Sequence, residues 1–216
     1  MKTRSALATA IILLAGALIY TALVYSRLPD KLPIHWNIKG IVDGWADKRT
    51  ALMMMPLTVA VMFMLIPLLP AISPKAFNLD TSRDSYNYIM VVLIALMIYI
   101  HIIIIVAGMS TGLDTGKALM AGMYGFFALM GNTLGKVRRN MWMGVKTPWT
   151  LASDKVWDPT HRLAGKLMVL GGVGGGLLTI VGVSSAITFP VVMALLLYPC
   201  LYSYTLYKKL EAAGDL

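Results

Sequence analysis

The chain reads as an all-α integral membrane protein, and three observations point there. Of its 216 residues, 58% are hydrophobic and only 13% are charged, whereas a soluble domain carries roughly 25% charged residues. The mean hydropathy is +0.72. The 19 Lys and Arg and the 10 Asp and Glu all fall outside six uncharged windows: Ser5 to Tyr25, Thr50 to Ile72, Ser85 to Gly108, Ala118 to Leu134, Leu167 to Val183 and Ile187 to Tyr207. A helix crossing the hydrocarbon core needs about 20 apolar residues, with a lower limit near ~17. Six transmembrane helices are therefore expected.

The first window follows Lys2 and Arg4 and could be mistaken for a cleaved signal peptide. Its apolar run is too long for a usual signal core, and no small-x-small pattern with a polar exit follows Tyr25. It reads as a retained helix.

The loop from Ser26 to Arg49 comes next, and it is patterned. Leu32, Ile34, Trp36 and Ile38 alternate with Pro33, His35, Asn37 and Lys39, the period of a short extended segment with one apolar face. Gly40 and Asp43-Gly44 are turn signals that fold the chain back, and Trp45 is suited to the headgroup level. A small extracytoplasmic cap between the first and second helices is expected. His35, Asn37, Asp43 and Asp47 lack a fixed ligand spacing, so no metal site is expected there; the same groups can hydrogen-bond the loop to itself.

In the second window Pro56, Pro67 and Pro70 should kink or end the helix. The third carries His101 at mid-depth, where an ionisable side chain by default suggests function. No Asp or Glu lies in any window to complete a proton relay. A neutral His101 making one hydrogen bond between helices is the simpler expectation.

The fourth loop, Gly135 to Lys166, contains a Thr147-Pro148-Trp149-Thr150 turn and the pair His161-Arg162. Asp158-Pro159 reads as a helix start, so the fifth helix should begin near Pro159 with His161 and Arg162 on its first turns in water. Before it, Thr150 to Trp157 can form a short interfacial helix with Trp149 and Trp157 as aromatic anchors. In the fifth helix, Gly171/Gly175 and Gly172/Gly176 give small-xxx-small pairs, which let helices approach closely. Their spacing is not that of a phosphate loop. Cys200, the single cysteine, lies in the sixth window, so neither a disulfide framework nor a cysteine metal cluster is available.

Counting basic residues in the loops gives orientation. Thirteen Lys and Arg lie on the side of both termini, seven of them between Lys136 and Lys166, against six on the other side. Both termini should be cytoplasmic. The formal net charge of +9 is thus explained by topology and membrane lipid, and no direct nucleic-acid contact is expected.

Taken together, the two long loops resemble a known family. Pro33, His35, Asn37, Gly40 and Asp43, with Trp45 and Lys48, resemble the P-x-H-x-N-x-x-G-x-x-D signature of a bacterial membrane domain of unknown function. Gly131-Asn132, Lys136, Arg138, Asn140, Thr147 to Thr150, Trp157 and His161-Arg162 resemble the SdpI family, the immunity proteins of the sporulation delay toxin system. Thr133 and Leu134 depart from the aromatic or proline that members often carry there. The resemblance covers nearly the whole chain in the same order and implies two units, 1-108 and 109-216. It implies a multi-pass protein of the bacterial cell membrane, not an enzyme and without cofactor, that gives resistance to a secreted peptide toxin. It also implies a signalling receptor that sequesters a cytoplasmic winged-helix autorepressor. On that reading Pro33, His35, Asn37, Gly40, Asp43, Trp45 and Lys48 face the toxin. Asn132, Lys136, Arg138, Asn140, Thr147, Pro148, Trp149, Thr150, Trp157, His161 and Arg162 form the cytoplasmic, repressor-facing motif. The alternatives are a small membrane transporter, or an interfacial enzyme using His35 or His161 as acid and base.

Overall fold

The computed structural model describes residues 1–109 and 111–216. Helix α1 (Thr3–Val24) passes through a 3-10 turn into an antiparallel hairpin, β1 (Lys31–Trp36) and β2 (Val42–Asp47). Helix α2 (Lys48–Ala71) follows, then two 3-10 turns and α3 (Arg83–Gly108). The second half holds α4 (Thr115–Leu134), the short α5 (Pro148–Ala152), α6 (Asp154–Ile180) and α7 (Ser185–Ala213). The helices α1, α2, α3, α6 and α7 are long and apolar enough to cross a membrane. This is therefore an α-helical, multi-pass membrane protein. At 20 residues α4 is the shortest of the six long helices, and it carries Gly116, Gly122, Gly125, Gly131 and Asn132, which dilute its apolar character.

The helix starts are set by short polar side chains that accept otherwise unpaired N–H groups. Asp47 accepts from the Thr50 N–H at 3.0 Å, Asp114 from Lys117 at 2.9 Å, Ser153 from Lys155 at 3.2 Å and Ser184 from Ala186 at 3.3 Å. Gly214, at φ +71°, closes α7 in the left-handed conformation that glycine adopts without strain. Helix α2 runs through Pro56 and Pro67 and ends one residue beyond Pro70.

The second half is organised around the glycine face of α6. A Cβ on Gly172 would come within 2.5 Å of the α4 backbone at Tyr124 and Ala128, and one on Gly175 within 2.8 Å of the Tyr124 ring. Gly171 meets Val192 of α7 instead. The expected small-residue face is thus used on both sides, and it lets the Tyr124 hydroxyl reach past α6 to Thr188 of α7 at 2.8 Å. In the first half, α3 packs against α1, α2 and α4. His101, fully buried, pairs through Nε2 with Thr21 Oγ1 at 2.7 Å. Thr21 gives its own proton to the Ala17 carbonyl, so the imidazole must be the donor. This is a single hydrogen bond between helices, as expected of His101.

Long-range hydrogen bonds sort the connections into two ends. At one end the Trp36 indole donates to Thr115 Oγ1 at the start of α4, 3.1 Å, and Ser185 Oγ at the start of α7 donates to the Ile38 carbonyl, 2.5 Å. At the other end Asn87 of α3 donates to Thr3 Oγ1, Trp142 to Ser73 Oγ, and the Arg138 N–H to Ser82 Oγ. The hairpin and the 135–153 loop therefore lie at opposite ends of the bundle.

Three expectations need correction. The short helix before α6 is Pro148–Ala152, not Thr150 to Trp157, because Thr147 caps it at Pro148 and the chain is extended at Ser153. Helix α6 begins at Asp154, not near Pro159, because Ser153 caps it first; Pro159 lies inside the first two turns. Asp43-Gly44 is not the turn of the hairpin but part of β2, with Gly44 opposite His35. The reversal is made at Asn37, whose Oδ1 accepts from the N–H groups of Lys39 and Ile41 at 2.9 and 3.2 Å, with Gly40 at φ +78°. An Asn side chain that bonds the backbone two residues on is a turn in itself.

Candidate functional site

The hairpin is a seated cap. Leu32, fully buried, and Trp36 join Val24, Leu28, Leu52 and Ile103 to Ile105 in one apolar cluster at the ends of α1, α2 and α3. Lys48 pins its base: Nζ donates to the Leu28 carbonyl at 2.7 Å and lies 4.4 Å from the centre of the Tyr25 ring. Asp47, held by the backbone and side chain of Thr50, keeps its carboxyl below the ordinary value of 3.8. The hairpin tip meets the second half backbone to backbone. A Cβ on Gly116 would fall within 2.7 Å of the Gly40 carbonyl carbon, so glycine at 116 is what lets the cap settle on α4.

Of the residues read as toxin-facing, Pro33 is buried, Asn37 and Gly40 build the turn, and Lys48 points back to Tyr25 and Leu28 just beyond α1. His35, Asp43 and Trp45 remain on the open face. His35 Nδ1 pairs with the Asp43 carboxylate across the strands, and Trp45 is 59% exposed. Beneath the tip, Lys39, Asp114, Lys117, Thr179 and Ser185 are among the residues lining a cavity of about 140 Å³.

The opposite end is a packed loop rather than an open surface. Asn140 is fully buried and satisfied: Oδ1 accepts from the Trp142 and Met143 N–H groups, and Nδ2 donates to the Arg138 and Met143 carbonyls. Thr147 and Thr150 cap α5 reciprocally around Pro148, and Thr150 Oγ1 also donates to the Val145 carbonyl. Trp149 donates to Ser203 of α7 and packs edge-on against Tyr204.

The centre of this loop is a Trp157–His161 pair. The rings stack at 3.9 Å with 18° between planes, and both side chains are 0% exposed. The Trp157 indole donates to the Val137 carbonyl at 2.8 Å. His161 Nε2 accepts the Val145 N–H at 2.9 Å, so Nδ1 carries the proton it donates to the Trp157 carbonyl, also 2.9 Å. Gly144, at φ +116°, lies against the imidazole, where a Cβ would collide with the ring.

These positions revise the reading of the motif. Trp157 is an interior residue, not an interfacial anchor, because the earlier start of α6 puts it one turn below His161 on the buried face. Asn140, Thr150, Trp157 and His161 hold the loop's shape and present nothing to a partner. Both ring nitrogens of His161 are committed to backbone partners. The exposed members are Asn132, Lys136, Arg138, Pro148 and Arg162. Arg138 pairs with Asp158 at 2.9 Å and Arg139 with Asp154 at 2.8 Å, tying the loop to the start of α6. Four anchoring hydroxyls, Ser73, Ser82, Thr115 and Ser203, were not singled out from the sequence, because the partner of each lies 54 or more residues away.

The fold and these two ends define a multi-pass helical membrane protein with a folded hairpin over one end and a tightly packed basic loop at the other. Residues 136–203 match the SdpI/YfhL protein family, and residues 12–69 match a domain of unknown function, DUF1648. Over 213 residues the chain is 26% identical to the immunity protein SdpI of Bacillus subtilis (strain 168), covering 94% of this chain and 96% of that protein. The resemblance read from the two loops is borne out. No solved structure matches the chain.

Proposed function

We propose that the chain is an immunity protein of the bacterial cell membrane, giving resistance to a secreted peptide toxin met at the hairpin. The observation that carries this is the end-to-end similarity to an immunity protein, with both regional matches in order. Residues 1-108 and 109-216 are taken as its two units. All six long helices span, α4 included, since 20 residues at about 1.5 Å each reach about 30 Å, the thickness of the hydrocarbon core. Both termini and the 135–166 loop are cytoplasmic, on the excess of basic residues at that end.

The geometry supports a route for signalling. The cap rests on the first turns of α4 and α7 through Thr115, Gly116 and Ser185. The same two helices reach the packed loop, α4 ending at Gly135 against Arg162 and α7 passing it at Ser203 beneath Trp149 before running on to Ala213. A toxin that shifts the cap thus bears on rods that reach the loop, where Lys136, Arg138, Pro148 and Arg162 are open to a winged-helix repressor. A coupling of about 1–3 kcal/mol between the ends is sufficient for such a receptor.

The test is survival of a sensitive bacterium challenged with a sporulation-delay-type toxin. Cells expressing the chain should survive where empty-vector cells die, and Trp45→Ala should weaken protection at equal membrane abundance. Death of cells with the verified protein in the membrane overturns the reading.

A further inference from the structure

We infer that the groove between α4 and α6 at the basic end is a binding site for one anionic phospholipid. A cavity of about 530 Å³ opens there, floored by Gly131 and Gly165 and continuing to Val169 and Leu170. The floor is made by a close helix crossing: a Cβ on Gly131 would sit 2.6 Å from the Gly165 carbonyl oxygen. Leu170 is 65% exposed on the flank of a membrane-crossing helix, so the lower groove is open to acyl chains. Its rim is cationic. Lys136, Arg162 and Lys166 all line it and are exposed. None of the three has a carboxylate partner among the described residues, and the nearest carboxylate on α6, Asp158, is already taken by Arg138. An apolar trough topped by three unpaired cations at headgroup depth is complementary to a lipid carrying a phosphate with net negative charge. A guanidinium and two ammonium groups offer that phosphate charge-assisted hydrogen bonds.

This site is separate from toxin recognition at the hairpin and stands or falls independently of it; a lipid held there occupies Lys136 and Arg162 and leaves Arg138 and Pro148 to a repressor. The experiment compares the purified full chain in nanodiscs of phosphatidylcholine alone and with phosphatidylglycerol, reading retained lipid by native mass spectrometry and thermal stability alongside. Two triple variants are run: Lys136→Gln, Arg162→Gln, Lys166→Gln, and, as an equal-charge control at the same end, Lys2→Gln, Lys75→Gln, Lys209→Gln. The parent and the control should retain one phosphatidylglycerol in preference to phosphatidylcholine. Each basic residue at a membrane surface favours an anionic lipid several-fold, so the groove variant should lose that preference by roughly a hundredfold. Inorganic phosphate should not substitute for the lipid. Equal retention of both lipids by the parent, an equal loss in both triple variants, or full replacement by free phosphate would each overturn the site. If the groove variant unfolds, Leu170→Trp, which blocks the trough and leaves the cations, must reduce retention on its own.

Discussion

Replacing His161 with Ala removes the centre of the basic loop, and the cost can be worked from the structure. The Val145 N–H loses its acceptor at 2.9 Å, and an enclosed donor left unpaired costs about 1–3 kcal/mol. The stack on Trp157, 3.9 Å between centres, contributes about 0.5–1.5 kcal/mol. Together roughly 2–4 kcal/mol is lost, which for a chain of this size lowers Tm by about 4–16 °C. His161→Gln places an amide oxygen near the Nε2 position and should lose only the stack, about a third of the effect. Thermal unfolding of the purified protein in one detergent, with limited trypsin digestion at the exposed Lys146 and Lys155, reads both quantities. A Tm within about 2 °C of the parent for His161→Ala, with unchanged digestion, would refute the argument that this imidazole organises the loop.

Gly116→Leu should lift the hairpin from α4, because its side chain collides with the Gly40 backbone, which cannot rotate away; digestion within 31–47 should accelerate while the 135–153 loop stays protected. Removing the His101 hydrogen bond by Thr21→Val should destabilise the α1–α3 pair by about 0.6 and at most about 1.7 kcal/mol in reversible unfolding. The Asp47 carboxyl is depressed below 3.8 in the folded protein by Thr50, so its cap is fully present above that value and is lost as pH falls through the lower folded value. The protection of the Thr50 amide, its exchange rate set against the intrinsic rate at each pH, should fall in that acidic window, and Asp47→Ala should remove that fall.

Much of the architecture is legible in the sequence because the physics that sets it is local. Charge exclusion alone places the six long helices, and α3 and α4 end at the last residues of their windows, Gly108 and Leu134. The alternation correctly announces an extended strand as far as Trp36, but Asn37 and Ile38 belong to the turn and Ile38 is exposed. The errors arose where two local cues competed. Asp158-Pro159 is a strong start signal, but Ser153 caps the helix earlier and the chain absorbs a proline near its exposed start. Asp43-Gly44 is a frequent turn pair, yet Gly44 is needed in the strand because a Cβ there would meet the His35 Cβ at 2.8 Å. The site was only half legible for a different reason. Trp157 and His161 are four residues apart, a spacing that stacks side chains on one helix face, but burial of that face depends on Val137 and Val145, which arrive from the loop. Asn140 is likewise polar in sequence and interior in the fold, because four backbone groups converge on its amide.

The most direct test of the account is where the toxin touches the protein. A photo-crosslinking side chain is placed in turn at position 45 on the cap and at position 146 on the basic loop, in cells that the chain protects. Crosslinks to the toxin at 45 and none at 146 are predicted. Toxin captured at 146, or at neither position while protection persists, would contradict recognition at the hairpin.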